Sequence, residues 1–330
     1  MKRNYSAPPL LAPDQALANL RAQPRPWARD YLAMYSSWLD GITREPWLMS
    51  LPLDDHMVHR GDGVFEAAKC LAGRIYQFDQ HLARLWRSAG SIQLEPPLDQ
   101  GELKSLTAAV VRAGGQADCL VRIYISRGPG GFTTNPHECP EPGVYVMVSR
   151  LHPPPPERYQ EGVEIGLARV PVKSGFFASI KSCNYLPNVL LKAQAVKEGW
   201  DFAVGLDEQG RISEGSTENI GLVDPKGRLL LPPARHILEG ITVKRAASLA
   251  AGMVDQGMLA GVEHRDLGVE DLKRAREVML FGTTLDVLPV TRLAGEPLGG
   301  GRVGPVAREL LQRLRRDMLH NPEASTPVMV

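Results

Sequence analysis

Four short segments of this chain hold residue types that can do chemistry together. In Ser179-Ile180-Lys181-Ser182-Cys183-Asn184-Tyr185-Leu186-Pro187-Asn188, a lysine sits among small and apolar neighbours just before a helix start. Burial pulls such an amine toward neutrality and leaves it nucleophilic, the state needed to attack a carbonyl. Taken alone, Lys181 is more simply a surface lysine in a loop. In Arg211-Ile212-Ser213-Glu214-Gly215-Ser216-Thr217-Glu218-Asn219-Ile220, the Glu214 carboxylate is flanked by residues small enough to admit a flat ring. A carboxylate facing a heteroaromatic nitrogen keeps that nitrogen protonated, although a turn leading into a strand is the simpler reading of this segment alone. Leu238-Glu239-Gly240-Ile241-Thr242-Val243-Lys244-Arg245 is a glycine turn opening a helix, so that amides near Ile241 and the Thr242 hydroxyl can face a phosphate. Phe281-Gly282-Thr283-Thr284-Leu285-Asp286 ends an apolar strand in a Gly-Thr-Thr turn with the same capacity.

The elements that must position these segments are short. Tyr31 to Leu39 and PWLMSLPL are expected as strands joined by a tight turn at Asp40-Gly41, and Phe65–Leu71 with Arg74–Phe78 as a hairpin. Leu82, Leu85, Trp86 and Ala89 recur at helical spacing with Asp79 as the expected N-cap, and a second helix is expected over 98–114. Strands are expected at 119–126, 144–148, 163–168, 202–206, 220–223, 229–231 and 278–281, and helices at 187–199, 242–252 and 306–318. Strands and helices that mix without regular alternation favour an α+β or barrel-like fold over a doubly wound sheet. The proline run at 153–156 suits a connector, which divides the chain into an extension (1–30), a small N-terminal α+β domain (31–151), a linker (152–158) and a larger C-terminal domain (159–330).

The 330 residues carry 38 basic and 37 acidic side chains, so no long-range field favours nucleic acid or an anionic membrane. The four cysteines form no Cys-x-x-Cys pair, which argues against a zinc site or disulfide framework, and no metal is expected. No leader or membrane-spanning run is readable, so the expected location is the cytoplasm.

Lysine, glutamate, Gly-Ile-Thr and Gly-Thr, in that order, resemble the class IV (fold-type IV) aminotransferases, a family that includes branched-chain aminotransferases, D-amino-acid aminotransferases and aminodeoxychorismate lyase. The resemblance runs from about Leu51 to Met318 and includes Arg60-Gly61-Asp62-Gly63-Val64-Phe65-Glu66 and His81-Leu82-Ala83-Arg84-Leu85. Through Pro52–Gly61 and Lys181–Asn188 it is nearest to the plant-type D-amino-acid enzymes. It implies a smaller N-terminal and a larger barrel-like C-terminal domain, pyridoxal 5′-phosphate in the cleft between them, and a homodimer. It also implies that Lys181 links covalently to the cofactor and acts as the proton-transferring base, that Glu214 pairs with the ring nitrogen, that Tyr185 meets the ring oxygen, and that Arg84, Ile241, Thr242 and Thr283 hold the phosphate. Phe65, Arg122, Thr284 and Arg60 fall on the substrate side; Arg60 and Arg122 are the candidates for the substrate carboxylate, because Phe65 lacks the tyrosine hydroxyl of bacterial D-amino-acid enzymes.

The expected reaction is a ping-pong exchange of an amino group between an amino acid, a D-amino acid foremost, and a 2-oxo acid. L-branched-chain transamination and aminodeoxychorismate cleavage are the alternatives within the family, and a silent binding protein on the same scaffold is the alternative outside it. The lyases carry threonine where this chain has Glu66, which weighs against cleavage.

Overall fold

The computed structural model describes residues 7–173 and 175–329. Its first half builds β1 (Tyr31–Ser36), β2 (Gly41–Thr43), β3 (Gly63–Leu71), β4 (Arg74–Tyr76), β5 (Cys119–Ser126) and β6 (Gly143–Arg150). Helices α1 (Pro13–Ala22), α2 (His56–Arg60), α3 (Phe78–Ser91) and α4 (Gln100–Gly114) accompany them. The second half carries β7 (Val163–Leu167), β8 (Phe202–Leu206), β9 (Ile212–Gly215), β10 (Asn219–Val223), β11 (Arg228–Leu231), β12 (Gly261–His264), β13 (Glu277–Gly282), β14 (Asp286–Leu293), β15 (Glu296–Pro297) and β16 (Ser325–Pro327). Its helices are α5 (Pro156–Glu161), α6 (Leu186–Glu198), α7 (Ile241–Asp255), α8 (Val269–Lys273) and α9 (Pro305–His320).

The first sheet runs β16-β4-β3-β5-β6-β1-β2. Helices α3 and α4 cover it through Phe78, Leu82, Leu85, Leu103, Val110 and Val111, all close to fully buried. In the second sheet, β10-β13-β14-β7-β8-β9 closes on itself where β9 pairs with β10 at Glu214 and Asn219, giving a barrel. The strands β10 and β13 are buried along nearly their whole length, as strands covered on both faces must be. The α+β class and the barrel-like second half are as expected from sequence.

Several local expectations give way. PWLMSLPL forms a 3-10 turn at Pro46–Leu48 rather than a strand; prolines at 46 and 52 remove the ladder donors a strand needs. Helix α3 starts after Gln77, so Asp79 lies inside its first turn instead of capping it. The proline run ends in α5, which begins at Pro156, because proline is well suited to the first helical position. The last strand, β16, crosses back to pair with β4 in the first sheet. Cys70 and Cys119, far apart in sequence, face each other across β3 and β5 as buried free thiols. Among the described residues, no helix is long and apolar enough to cross a membrane.

Candidate active site

The two sheets meet at a cavity of about 350 Å³. Strand β3 alternates across its pleat, so Phe65 and Ala67 face the cavity while Glu66 faces α3. There Glu66 meets His81 and Arg84, three residues apart on one side of α3. Arg84 donates from Nε to Glu66 Oε1 at 2.6 Å and from its second terminal nitrogen to Oε2 at 2.8 Å, and His81 Nδ1 lies 2.7 Å from Oε2. Burial alone would raise the Glu66 carboxyl, but the Arg84 and His81 charges outweigh it and hold the group well below the usual carboxylate range. Arg84 also donates to the Glu239 carbonyl at 2.9 Å. Three of its five N–H groups are thereby engaged, which leaves two for a ligand in the cavity it lines.

Lys181 is set beside the start of β3 by a short antiparallel bridge. The Phe65 amide donates to the Lys181 carbonyl at 3.0 Å, the Cys183 amide donates to the Gly63 carbonyl at 2.8 Å, and Ser182 pairs with Val64. The Lys181 amine lies 4.5 Å from the Phe65 ring centroid and donates to Tyr185 Oη at 3.4 Å. Desolvation, reinforced by the Arg84 cation, lowers this amine to about 8. Tyr185 packs edge-on against Phe65, and burial raises its phenol.

Glu214 reaches the cavity from β9, and its Oε2 accepts the Leu238 amide at 3.0 Å. Burial raises its carboxyl to about 7 despite that bond. Neighbouring Glu218 accepts both Thr217 donors at 2.8 Å and the Ser216 amide at 3.2 Å. The segment leading to α7 is tied down where Asn219 Nδ2 donates to the Leu238 carbonyl at 2.9 Å. Glycine at 240 leaves room for this contact, since a Cβ would stand 1.9 Å from Asn219 Oδ1 and displace that side chain. Helix α7 then starts with no side-chain cap, so its first amides present an uncompensated positive end beside Ile241 and Thr242. The Thr283–Leu285 turn closes the far side; Tyr159 Oη donates to the Leu285 carbonyl at 3.0 Å, and Lys69 and Arg315 grip Asp286.

Of the residues singled out from sequence, Lys181, Arg84, Tyr185, Glu214, Ile241, Thr242, Thr283, Phe65, Arg122 and Thr284 all line this cavity. Arg60 does not. It is exposed at the end of α2, and its guanidinium donates to the Phe132 carbonyl at 2.5 Å and to the Thr133 carbonyl at 3.3 Å, which holds it on the segment between β5 and β6. Missed from sequence are the pairing of Glu66 with both His81 and Arg84, and Asn188, whose amide donates to the Ser216 carbonyl at 2.8 Å. Glu66 stands 15 residues from His81 and Asn188 stands 28 from Ser216, so neither contact leaves a local signal.

A family model described as amino-transferase class IV matches residues 63–293. The chain is 39% identical over 299 residues to the chloroplastic D-amino-acid transaminase of Arabidopsis thaliana, covering 89% of this chain and 78% of that protein. It is 31% identical to a putative branched-chain-amino-acid aminotransferase of Methanocaldococcus jannaschii, covering 79% and 88%. The fold superposes on the T.th. branched-chain amino acid aminotransferase with pyridoxamine 5′-phosphate at a TM-score of 0.83 and 25% identity, covering 91% of this chain and 99% of that one.

Proposed function

This chain belongs to the class IV aminotransferase family and is an aminotransferase, and from that premise we propose that it holds pyridoxal 5′-phosphate in the described cavity and takes D-amino acids as amino donors. The observation that carries the cofactor assignment is the donor set. An amine lowered to about 8, a carboxyl raised to about 7, an arginine with spare N–H groups and an uncapped helix start converge on one cavity. These match in turn an aldehyde, a ring nitrogen and a phosphate.

When bound, pyridoxal 5′-phosphate supplies an aldehyde for a primary amine and a ring that takes up the electron pair left when an α-hydrogen departs. The chain's own residues do the rest. Lys181 Nζ is neutral often enough near neutral pH to attack a carbonyl and, once displaced by a substrate amine, to accept the α-proton and return it. Glu214 presents its carboxylate to the ring nitrogen, and Tyr185 Oη, beside the same amine, steadies the ring oxygen. Arg84, Ile241, Thr242 and Thr283 hold the phosphate, and Phe65, Arg122 and Thr284 face the substrate. Arg122 supplies the charge for the substrate carboxylate, since it lines the cavity and Arg60 does not.

The D-amino-acid preference is supported by the 39% identity to a protein named for that substrate class. Keto acids are the acceptors, and a homodimer is the working assembly; the exposed side chains of Trp38, Leu53 and Phe132 offer apolar surface for it. The test is a half-reaction panel on the purified holoprotein, following the cofactor's visible band with D- and L-amino acids. Loss of the band with D-amino acids is expected. Loss with L-amino acids alone overturns the donor assignment, and pyruvate release from a chorismate-type substrate, without any band change, overturns transamination.

A further inference from the structure

A second primary amine comes up beside Tyr185, a residue of the cavity wall, from the irregular segment between β7 and α6. Val172 packs with Leu191, Ala195 and Ala203, and its Cγ1 lies 1.9 Å from where a Cβ on Gly205 would stand. Glycine at 205 therefore admits Val172 against β8, and that anchorage sets the course of the next residue. Lys173 is half-buried, with its amine 4.7 Å from the centroid of the Tyr185 ring. The Lys181 amine stands 5.7 Å from the same centroid, so two lysines address one phenol.

Other charged groups near this point are largely matched. Arg84 is paired with Glu66, and Glu218 is served by Ser216 and Thr217. Glu214 accepts the Leu238 amide, and it is the carboxylate that acts on the Lys173 amine, opposing the pull of burial. A cation over a phenol face is attracted by the ring quadrupole and raises the local potential felt by neighbouring groups.

We propose, resting on the reading that this cavity holds pyridoxal 5′-phosphate through Lys181, that Lys173 is a positioning residue whose cation, seated over Tyr185, biases Glu214 toward its carboxylate and Lys181 toward the free amine. Four charged groups act on the Lys181 amine from the surrounding elements: Arg84 of α3, Glu66 of β3, Glu214 of β9 and Lys173, with the Tyr185 hydroxyl beside them. Removing one cation from that set makes protonation of Lys181 easier and ionisation of Glu214 harder. Both changes disfavour an aldehyde-bearing, ring-protonated ligand.

The test uses the full-length protein stripped of cofactor. The rate at which an amine-directed acylating reagent labels Lys181, read by peptide mass across roughly pH 6 to 10, reports its protonation. Lys173→Met keeps the apolar stem and is expected to move the labelling midpoint up by about half a pH unit or more. The same variant is expected to weaken binding of added pyridoxal 5′-phosphate, titrated by absorbance, about tenfold. Lys173→Arg restores both, and Lys197→Met, exposed on α6, overlays the wild type. A Lys173→Met protein with an unmoved midpoint and an affinity within about twofold of wild type overturns the proposal, whatever its thermal stability. If the wild type takes up no pyridoxal 5′-phosphate, the cofactor reading fails instead, and the labelling midpoints still report whether Lys173 controls the Lys181 amine.

Discussion

The wall of the cavity built on β3 and α3 differs in kind from the wall built on β9, α7 and the segment at Lys181. On the first, Glu66, His81 and Arg84 satisfy one another, and the result is a carboxylate held strongly ionised. On the second, Lys181 and Glu214 are both displaced toward neutrality by burial that nearby groups do not fully offset. The first wall commits most of its charge to structure and keeps only two Arg84 N–H groups for a ligand; the second leaves its charge for a ligand to complete. Buried groups whose ionisation is disfavoured are the usual mark of reacting positions, whereas a fully bonded cluster is a scaffold.

That contrast can be broken in several ways. Lys181→Ala is expected to reduce turnover at least about 10⁴-fold and to remove the covalently bound cofactor's visible band while leaving the fold intact; retained turnover sinks the assignment. Glu66→Gln should act oppositely, on stability first. It leaves Arg84 buried without a counter-charge, at a cost of roughly 3–5 kcal/mol in a denaturant titration. Because the folded Glu66 ionises well below its ordinary value, its contribution is complete above that ordinary value and fades as pH falls toward the folded one. The stability gap between wild type and Glu66→Gln should therefore close in acid. Glu214→Gln is expected to lower turnover on the order of 10²-fold with little change in unfolding midpoint, since that carboxyl is already strained by burial.

Arg122→Ala comes next, and should raise KM for amino acids by more than about tenfold, the loss of a charge-assisted hydrogen bond of about 1.5–3 kcal/mol. A finer test is pH. In stripped protein, the rate of cofactor uptake should climb about tenfold per unit up to roughly pH 8 and then level, as the Lys181 amine loses its proton. A flat profile below that point would place the nucleophile elsewhere. The smallest effect is expected from Arg60→Ala, with KM within about twofold of wild type and stability changed by less than about 0.5 kcal/mol.

The second wall is the legible one in sequence. Lys181, Glu214, Thr242 and Thr283 each sit in a contiguous run whose composition hints at its use, and the structure brings those runs to one cavity. The first wall is not, because the Glu66, His81 and Arg84 pairing depends on a strand and a helix meeting across a turn. Arg60 goes astray for a related reason. Its direction is set by the carbonyls of Phe132 and Thr133, 72 and 73 residues on, and nothing near Arg60 in sequence foretells them. Lys173 lies in a loop, where a lysine is indistinguishable from a solvated one until Val172 is seen packed against Gly205. Among the elements, the long periodic helices fall within a few residues of their expected bounds, while β16 escapes notice because its partner β4 lies far back in the chain.

That late pairing has a consequence for biogenesis. As the polypeptide emerges from the ribosome, β4 waits with one edge bare until nearly the whole barrel has been translated, since β16 follows α9. An unpaired edge is an invitation to aberrant intermolecular pairing. Chains that lack β16 should accordingly lean on chaperones more than chains that carry it.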